Sequence, residues 1–188
     1  MTEPSPPSDV PPRRALPGRI RWVVSFGVAG IVLVLDQATK ELAVQLLADG
    51  KIDMGWFDLN LVRNPNAAFS IPGPPGLFLI VTVVVVFIVV RTLPSVDRLS
   101  LAFAYGLLLG GALGNAMDRV FRFPGIPRGH VVDFLDLRWW PVFNLADSAI
   151  VSGAILIAVL AWWVERTEPS EAPTAHRSVR PGTGSPRQ

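Results

Sequence analysis

The run VTVVVVFIVV, Val81 to Val90, decides the fold. It carries no charge and no polar stripe, whereas the helices of a soluble bundle keep one polar face toward water. Its β-branched residues suit a strand, but it lacks the alternation of a half-buried strand, and an open strand edge is not tolerated in hydrocarbon. A lipid-facing helix is the reading that remains. Working outward, the uncharged stretch containing it extends from Asn64 to Val90, and Pro65, Pro72, Pro74 and Pro75 confine its helix to Gly76–Val90. Three further uncharged runs occur: Trp22–Leu35, Leu99–Met117 and Ser148–Val164. A bilayer core of about 30 Å needs roughly 20 apolar residues in a helix. The first run would rise only about 21 Å, so it must continue through Asp36 and Lys40 into Leu42–Ala48. The fourth gains length from Phe143–Asp147. Four spans are expected.

Composition agrees with this reading. Of 188 residues, 50% are hydrophobic and 17% charged, and the mean hydropathy is +0.41. A soluble domain carries about 25% charged residues, so this chain is short of polar surface. Cysteine is absent, which excludes disulfides, a thiol nucleophile and Cys-ligated metal. His130 and His176 are too far apart for a helical zinc motif, and no metal or cofactor is expected. A formal charge of +2 gives no basic field for nucleic acid. Residues 1–18, with six prolines, and the Pro/Ser/Thr/Arg-rich 167–188 are expected to be disordered tails flanking a membrane domain at 19–166. The fold class is therefore an all-α membrane protein: four transmembrane helices with a small extracytoplasmic β-rich segment, Lys51–Arg63, and loop.

Antiparallel spans put both tails and the Arg91–Arg98 loop on one side, with ten Lys/Arg against six acids. The other side holds seven against nine. The positive-inside rule makes the tails cytoplasmic. Trp22, Trp162 and Trp163 would form the inner aromatic belt, and Trp56, Trp139 and Trp140 the outer one.

The same alternation gathers Asp36, Asp118, Asp133, Asp136 and Asp147 at the outer face. Ionisable groups at membrane depth are costly and point to function. Asp36 and Lys40, spaced i,i+4, can neutralise each other. Asp118, beside Arg119 and one turn after Asn115, suits an ordering network, and Asp136 reads as an exposed loop acid. Asp133, in VVDFL, and Asp147, in FNLADSAIV, have apolar surroundings without an adjacent cation. Two such carboxyls have their pKa values pushed up and apart, so that one stays base while the other keeps a proton. That is the requirement for activating water against an amide. Gly110, Gly111 and Gly114 permit close helix approach, and Asn64, Asn66 and Asn144 supply amides at the same face.

At these residues the chain resembles the prolipoprotein signal peptidase family, signal peptidase II (lipoprotein signal peptidase). The matching stretches are Asp36–Lys40, Asn64–Phe69, Gly110–Asn115 running to Asp118-Arg119, Val131–Phe134 and Phe143–Ser148, in the family's order over residues 20–165. The resemblance implies a metal-independent aspartic endopeptidase of the bacterial cytoplasmic membrane, multi-pass, with both termini cytoplasmic and its site near the outer face. It would cut lipidated prolipoproteins just before the diacylglyceryl-modified cysteine, acting as a monomer among membrane lipid. Carried over residue by residue, Asp133 and Asp147 would be catalytic. Asp36, Lys40, Asn64, Asn115, Asp118, Arg119, Asn144 and Ala146 would bind substrate or support the site. Two departures stand out: Asn66 replaces the family's usual glycine, and Val120–Gly129 is longer than usual. The competing class is a small four-span transporter or scaffold. Transporters place charges near the midplane and often carry repeats, whereas here the acids gather at one interface and no repeat is visible.

Overall fold

A computed structural model describes residues 17–65 and 76–167. The expected disorder of the two tails therefore concerns residues almost wholly outside those described, as does the expectation for Asn66. Four helices form: α1 (Gly18–Leu46), α2 (Leu77–Thr92), α3 (Leu99–Phe121) and α4 (Leu145–Thr167). Each is long and apolar enough to cross a bilayer, α2 together with the 3₁₀ turn that carries it on to Ser95. α1 continues unbroken past Asp36 and Lys40, as the short first run requires. Its 29 residues rise about 43 Å, more than a bilayer core demands. Gly76, in the left-handed region at φ 86°, immediately precedes α2. Beyond α2 a 3₁₀ turn at Leu93–Ser95, with Pro94 in it, turns the chain into α3.

The helices bury small residues against each other and leave large ones outward. α3 is the centre: it contacts α1, α2 and α4 and buries Ala102, Ala104, Gly106, Gly110, Gly111, Ala112 and Gly114. α2 is the most peripheral helix, with Val89 its only buried residue, and Phe87 and Val83 are about two-thirds exposed. This distribution suits a hydrocarbon solvent, where close packing rather than apolar burial joins helices. Two of the glycines are required sterically. A Cβ at Gly114 would lie 2.6 Å from Asp36 Oδ2, and one at Gly111 would press on the Ala146 carbonyl and lie 2.8 Å from Ile150 Cγ1. Ser25 satisfies its buried hydroxyl by donating to the Ala102 carbonyl at 2.7 Å.

A three-stranded antiparallel sheet covers the end of the bundle where α1 and α3 finish and α4 begins. Its order is β1 (Ile52–Asp53), β2 (Asp58–Asn64), β3 (Val131–Asp136). The expected β-rich segment thus supplies β1 and β2, and the α3–α4 connection supplies a third strand. Val62 pairs with Asp133 and Asn64 with Val131, with an irregularity between Leu59 and Val62. Phe134 of β3 packs on Ala43 and Leu47 of α1, which seats the sheet on the bundle. Asp136 closes β3, half-buried rather than exposed in a loop. It accepts from Asn60 Nδ2 at 3.1 Å and from the Arg138 backbone N–H at 2.8 Å.

Candidate active site

Beneath the sheet, α1, α3, β3 and the start of α4 bring their polar residues together. Lys40, Asp36, Asp118 and Asn144 are fully buried, and Asp133 (2% exposed), Asn64 (4%), Asp147 (6%) and Arg119 (7%) nearly so. Lys40 Nζ lies 2.9 Å from Asp36 Oδ2 and 2.9 Å from Asp118 Oδ2, and donates to Asn115 Oδ1 at 3.0 Å. The expected Asp36–Lys40 pair exists, but as part of a triad spanning α1 and α3. Asp118 also accepts from Arg122 Nε (2.7 Å), Gln37 Nε2 (3.2 Å) and the Val132 backbone N–H (3.1 Å). Its oxygens are therefore committed to holding α3 against α1 and β3. Asp36 Oδ1 accepts from the Ala146 backbone N–H at 2.9 Å, so Ala146 contributes its main chain, and α1 grips the first turn of α4.

Asn144 and Asn115 organise the other two acids. Asn144 is the N-cap of α4. Its Oδ1 accepts from the Asp147 backbone N–H at 2.9 Å, and Asp147 Oδ2 accepts from the Asn144 backbone N–H at 3.3 Å. This reciprocal capping box fixes the Asp147 carboxylate at the helix entrance. With its oxygen engaged in the cap, the Asn144 amide nitrogen points away and donates to Asp133 Oδ1 at 2.7 Å and Asn115 Oδ1 at 3.1 Å. Asn115, its oxygen turned to Lys40 and Asn144, donates to Asp147 Oδ1 at 2.8 Å. Asn64 Nδ2 donates to Asp133 Oδ2 at 3.0 Å. Every oxygen of Asp133 and Asp147 thus receives an amide hydrogen, and each keeps a second lone pair. Burial pushes the Asp133 carboxyl up to about 6, and the neighbouring Asp147 charge pushes the same way against the pull of the Asn64 and Asn144 amides.

Arg119 lies on the cleft side of this cluster. Its guanidinium stands 4.8 Å from the Phe78 ring and donates to the Asn115 carbonyl at 3.2 Å. With Asn115 and Asp147 it lines a cavity of about 260 Å³ between α2, α3 and α4, whose other walls are apolar except at Thr82. The structure therefore brings together all ten residues singled out from the sequence: Asp36, Lys40, Asn64, Asn115, Asp118, Arg119, Asp133, Asn144, Ala146 and Asp147. Sequence reasoning missed Gln37, which also donates to the Gly114 carbonyl at 3.1 Å, and Arg122. An amide next to Asp36 at membrane depth was the available signal for Gln37. It also missed a cluster on the sheet, in which Asp58 accepts from Lys51 at 2.9 Å and Arg138 at 2.6 Å. These cations hold the Asp58 carboxyl below its usual range.

Among the described residues no group of three His, Cys, Asp or Glu is arranged to hold a metal. A model of the family described as Signal peptidase (SPase) II matches residues 28–163. The chain is 49% identical to the lipoprotein signal peptidase of Rhodococcus jostii over 146 residues, 74% of this chain and 73% of that one. It is 46% identical to that of Mycobacterium avium over 161 residues, covering 82% and 84%. Two bacterial membrane enzyme structures determined by the in meso method are similar, each at 28% identity. One has a TM-score of 0.67 over 79% of this chain and 93% of its own, the other 0.62 over 73% and 91%.

Proposed function

The chain belongs to the signal peptidase II family, a multi-pass bacterial membrane protease acting on prolipoproteins, and we propose that it cuts with a water held between Asp133 and Asp147. The observation that carries this reading is the amide framework of Asn64, Asn115 and Asn144. It brings two buried carboxyls to one place and leaves each oxygen a free lone pair. One carboxylate takes a proton from the water as it attacks the scissile carbonyl. The other, kept protonated by burial and by its neighbour's charge, donates to the carbonyl oxygen and then to the leaving amine. Asp118 has no such part, because Lys40, Arg122 and the Val132 N–H already occupy it.

The scissile bond precedes the diacylglyceryl-bearing cysteine, and the signal peptide enters the α2–α3–α4 cleft. Asn115 and Arg119 there can meet the carbonyls of an unwound peptide. The site's polar groups named among the described residues belong to one chain, which fits action as a monomer in lipid, and no step of this reaction calls for a metal. Charge supports an orientation with both tails cytoplasmic and the sheet outside, because Lys and Arg prevail on the tail side. Replacing Asp133 or Asp147 by Asn should reduce cleavage of a lipidated precursor in membranes by at least about a hundredfold. Excess chelator should leave the wild-type rate unchanged. Full activity in either Asn variant would remove that residue from the chemistry, and loss with chelator would remove the metal-free mechanism.

A further inference from the structure

Among the described residues, Asp147 lines two separate clefts. The first is the α2–α3–α4 cavity, where Ile150 is the second α4 residue in the wall. The second lies around the α4 surface, where Ser148, Val151 and Ser152 face Trp139, Trp140 and Phe143 across about 330 Å³. Their chemistry differs. The first is mostly apolar, and its Thr82 hydroxyl is used, donating to the Phe78 carbonyl at 2.9 Å, but it holds a charged donor, the Arg119 guanidinium, beside Asn115. The second is aromatic and aliphatic, and the Ser148 hydroxyl in it is already used, donating to the Asn144 carbonyl at 3.0 Å.

On the reading that Asp133 and Asp147 make the cut, the substrate carries two apolar attachments at its scissile bond. The signal helix lies on one side and the acyl chains hang from the next residue's sulfur. Both must approach Asp147 within a few bonds. A peptide unwound at its cleavage point needs donors for its carbonyls, and the first cleft has them. Hydrocarbon chains need none, and the second cleft, walled by Leu137, Trp139, Trp140, Phe143 and Val151, has no cationic side chain in its lining. We propose that the Trp139–Trp140–Val151 cleft is the seat of the cysteine's acyl chains, leaving the α2–α3–α4 cleft to the signal helix.

Two further features fit this assignment. Ser148 and Ser152, one turn apart and small, hollow the α4 surface where a chain would enter. Val151, Ile155 and Val159 continue from that hollow along one face of α4, each about half exposed (44%, 59% and 52%). From Val151 to Val159 the face runs about 12 Å, enough to lay hydrocarbon against the helix before it joins the bilayer. The two indoles, edge-to-face at 5.8 Å, form the opposite wall. Their backbone is set by Arg138, at φ 69°, whose guanidinium is anchored on Asp53 and Asp58.

The test is the KM of the full-length enzyme for one precursor carrying either long or short acyl chains. Wild type should favour the long chains, and Val151→Trp, which fills the cleft, and Trp140→Ala, which removes its wall, should each erase about tenfold of that preference. Val34→Trp, on the lipid-facing surface of α1 (67% exposed), should keep the wild-type preference. Val85→Trp in the first cleft should raise KM for long and short chains alike. Absence of a chain-length preference in wild type, or its retention in both Val151→Trp and Trp140→Ala, would overturn the assignment. A wild-type enzyme that cleaves neither precursor would instead overturn the proposed reaction itself. If Val151→Trp fails to fold, Trp140→Ala alone decides.

Discussion

At Asn144 one side chain closes two systems: its oxygen caps α4 through the Asp147 N–H, and its nitrogen holds Asp133. The roles can be separated. Asn144→Ala should cost about 1–2 kcal/mol of stability through the lost cap and also lose activity. Asn144→Ser, which restores a capping oxygen but offers Asp133 no amide, should recover the stability and not the cleavage. Thermal unfolding in detergent, set beside precursor processing, distinguishes them. Asp133 makes a second prediction. Because burial raises its carboxyl from 3.8 to about 6, the folded state favours the protonated acid. Its contribution is complete below pH 3.8 and is lost as pH rises toward 6. Asp133→Asn, which cannot ionise, should therefore gain stability over wild type across that window, reaching up to roughly 2–3 kcal/mol near neutrality. The Asn64 and Asn144 donors, no longer facing two acceptor oxygens, reduce that gain. A stability difference independent of pH between 4 and 7 would contradict it. The two acids proposed for the cut stand out in the sequence because both lie in apolar runs without a neighbouring cation. Their amide partners were legible only as residue types, because Asn64, Asn115 and Asn144 reach them across 69, 32 and 11 positions.

Among the elements, α3 carries the assembly, and its junctions with α1 and α4 depend on the Lys40 triad and on two glycines. Lys40 lies between Asp36 and Asp118 with no exposure. Lys40→Met would leave Asp36 buried without a cation and Asp118 with Arg122 alone, which should cost about 3–5 kcal/mol. The triple variant Asp36→Asn, Lys40→Met, Asp118→Asn should be markedly more stable than Lys40→Met alone, since no buried carboxylate is left without its cation and Arg122, which loses Asp118, reaches solvent. Equal destabilisation of the two would argue against the triad's charge balance. Gly114→Ala should cost about 1–3 kcal/mol and lower cleavage with it, as the added methyl displaces Asp36 from the Ala146 N–H. A stability equal to wild type would show that α1 and α3 can separate freely here. The four helices were legible because hydropathy is a property of contiguous residues. β3 was not, since VVDFLD becomes a strand only when β2 lies beside it and Phe134 finds Ala43 and Leu47.

For the whole molecule, four helices joined in sequence return the chain to its starting side, with the sheet and the acids at the opposite end. Reporters active only in the cytoplasm and fused at either terminus should both be active, whereas one inserted at the β1–β2 turn near Gly55 should be silent. A split result between the termini would require an odd number of crossings. By itself the sequence determined the number of spans, the end at which the acids collect and the family to which they belong. Each is carried by short contiguous stretches whose hydropathy or motif needs no partner to be read. Tertiary structure decided the division of labour among those acids. Asp118 takes Lys40, Arg122 and the Val132 N–H and becomes a strut, while Asp133 and Asp147 take neutral amides, the arrangement on which the proposed reaction rests. That difference lies in which groups distant in the chain come within 3 Å. A carboxylate's role is set by its donors, and those are chosen by packing.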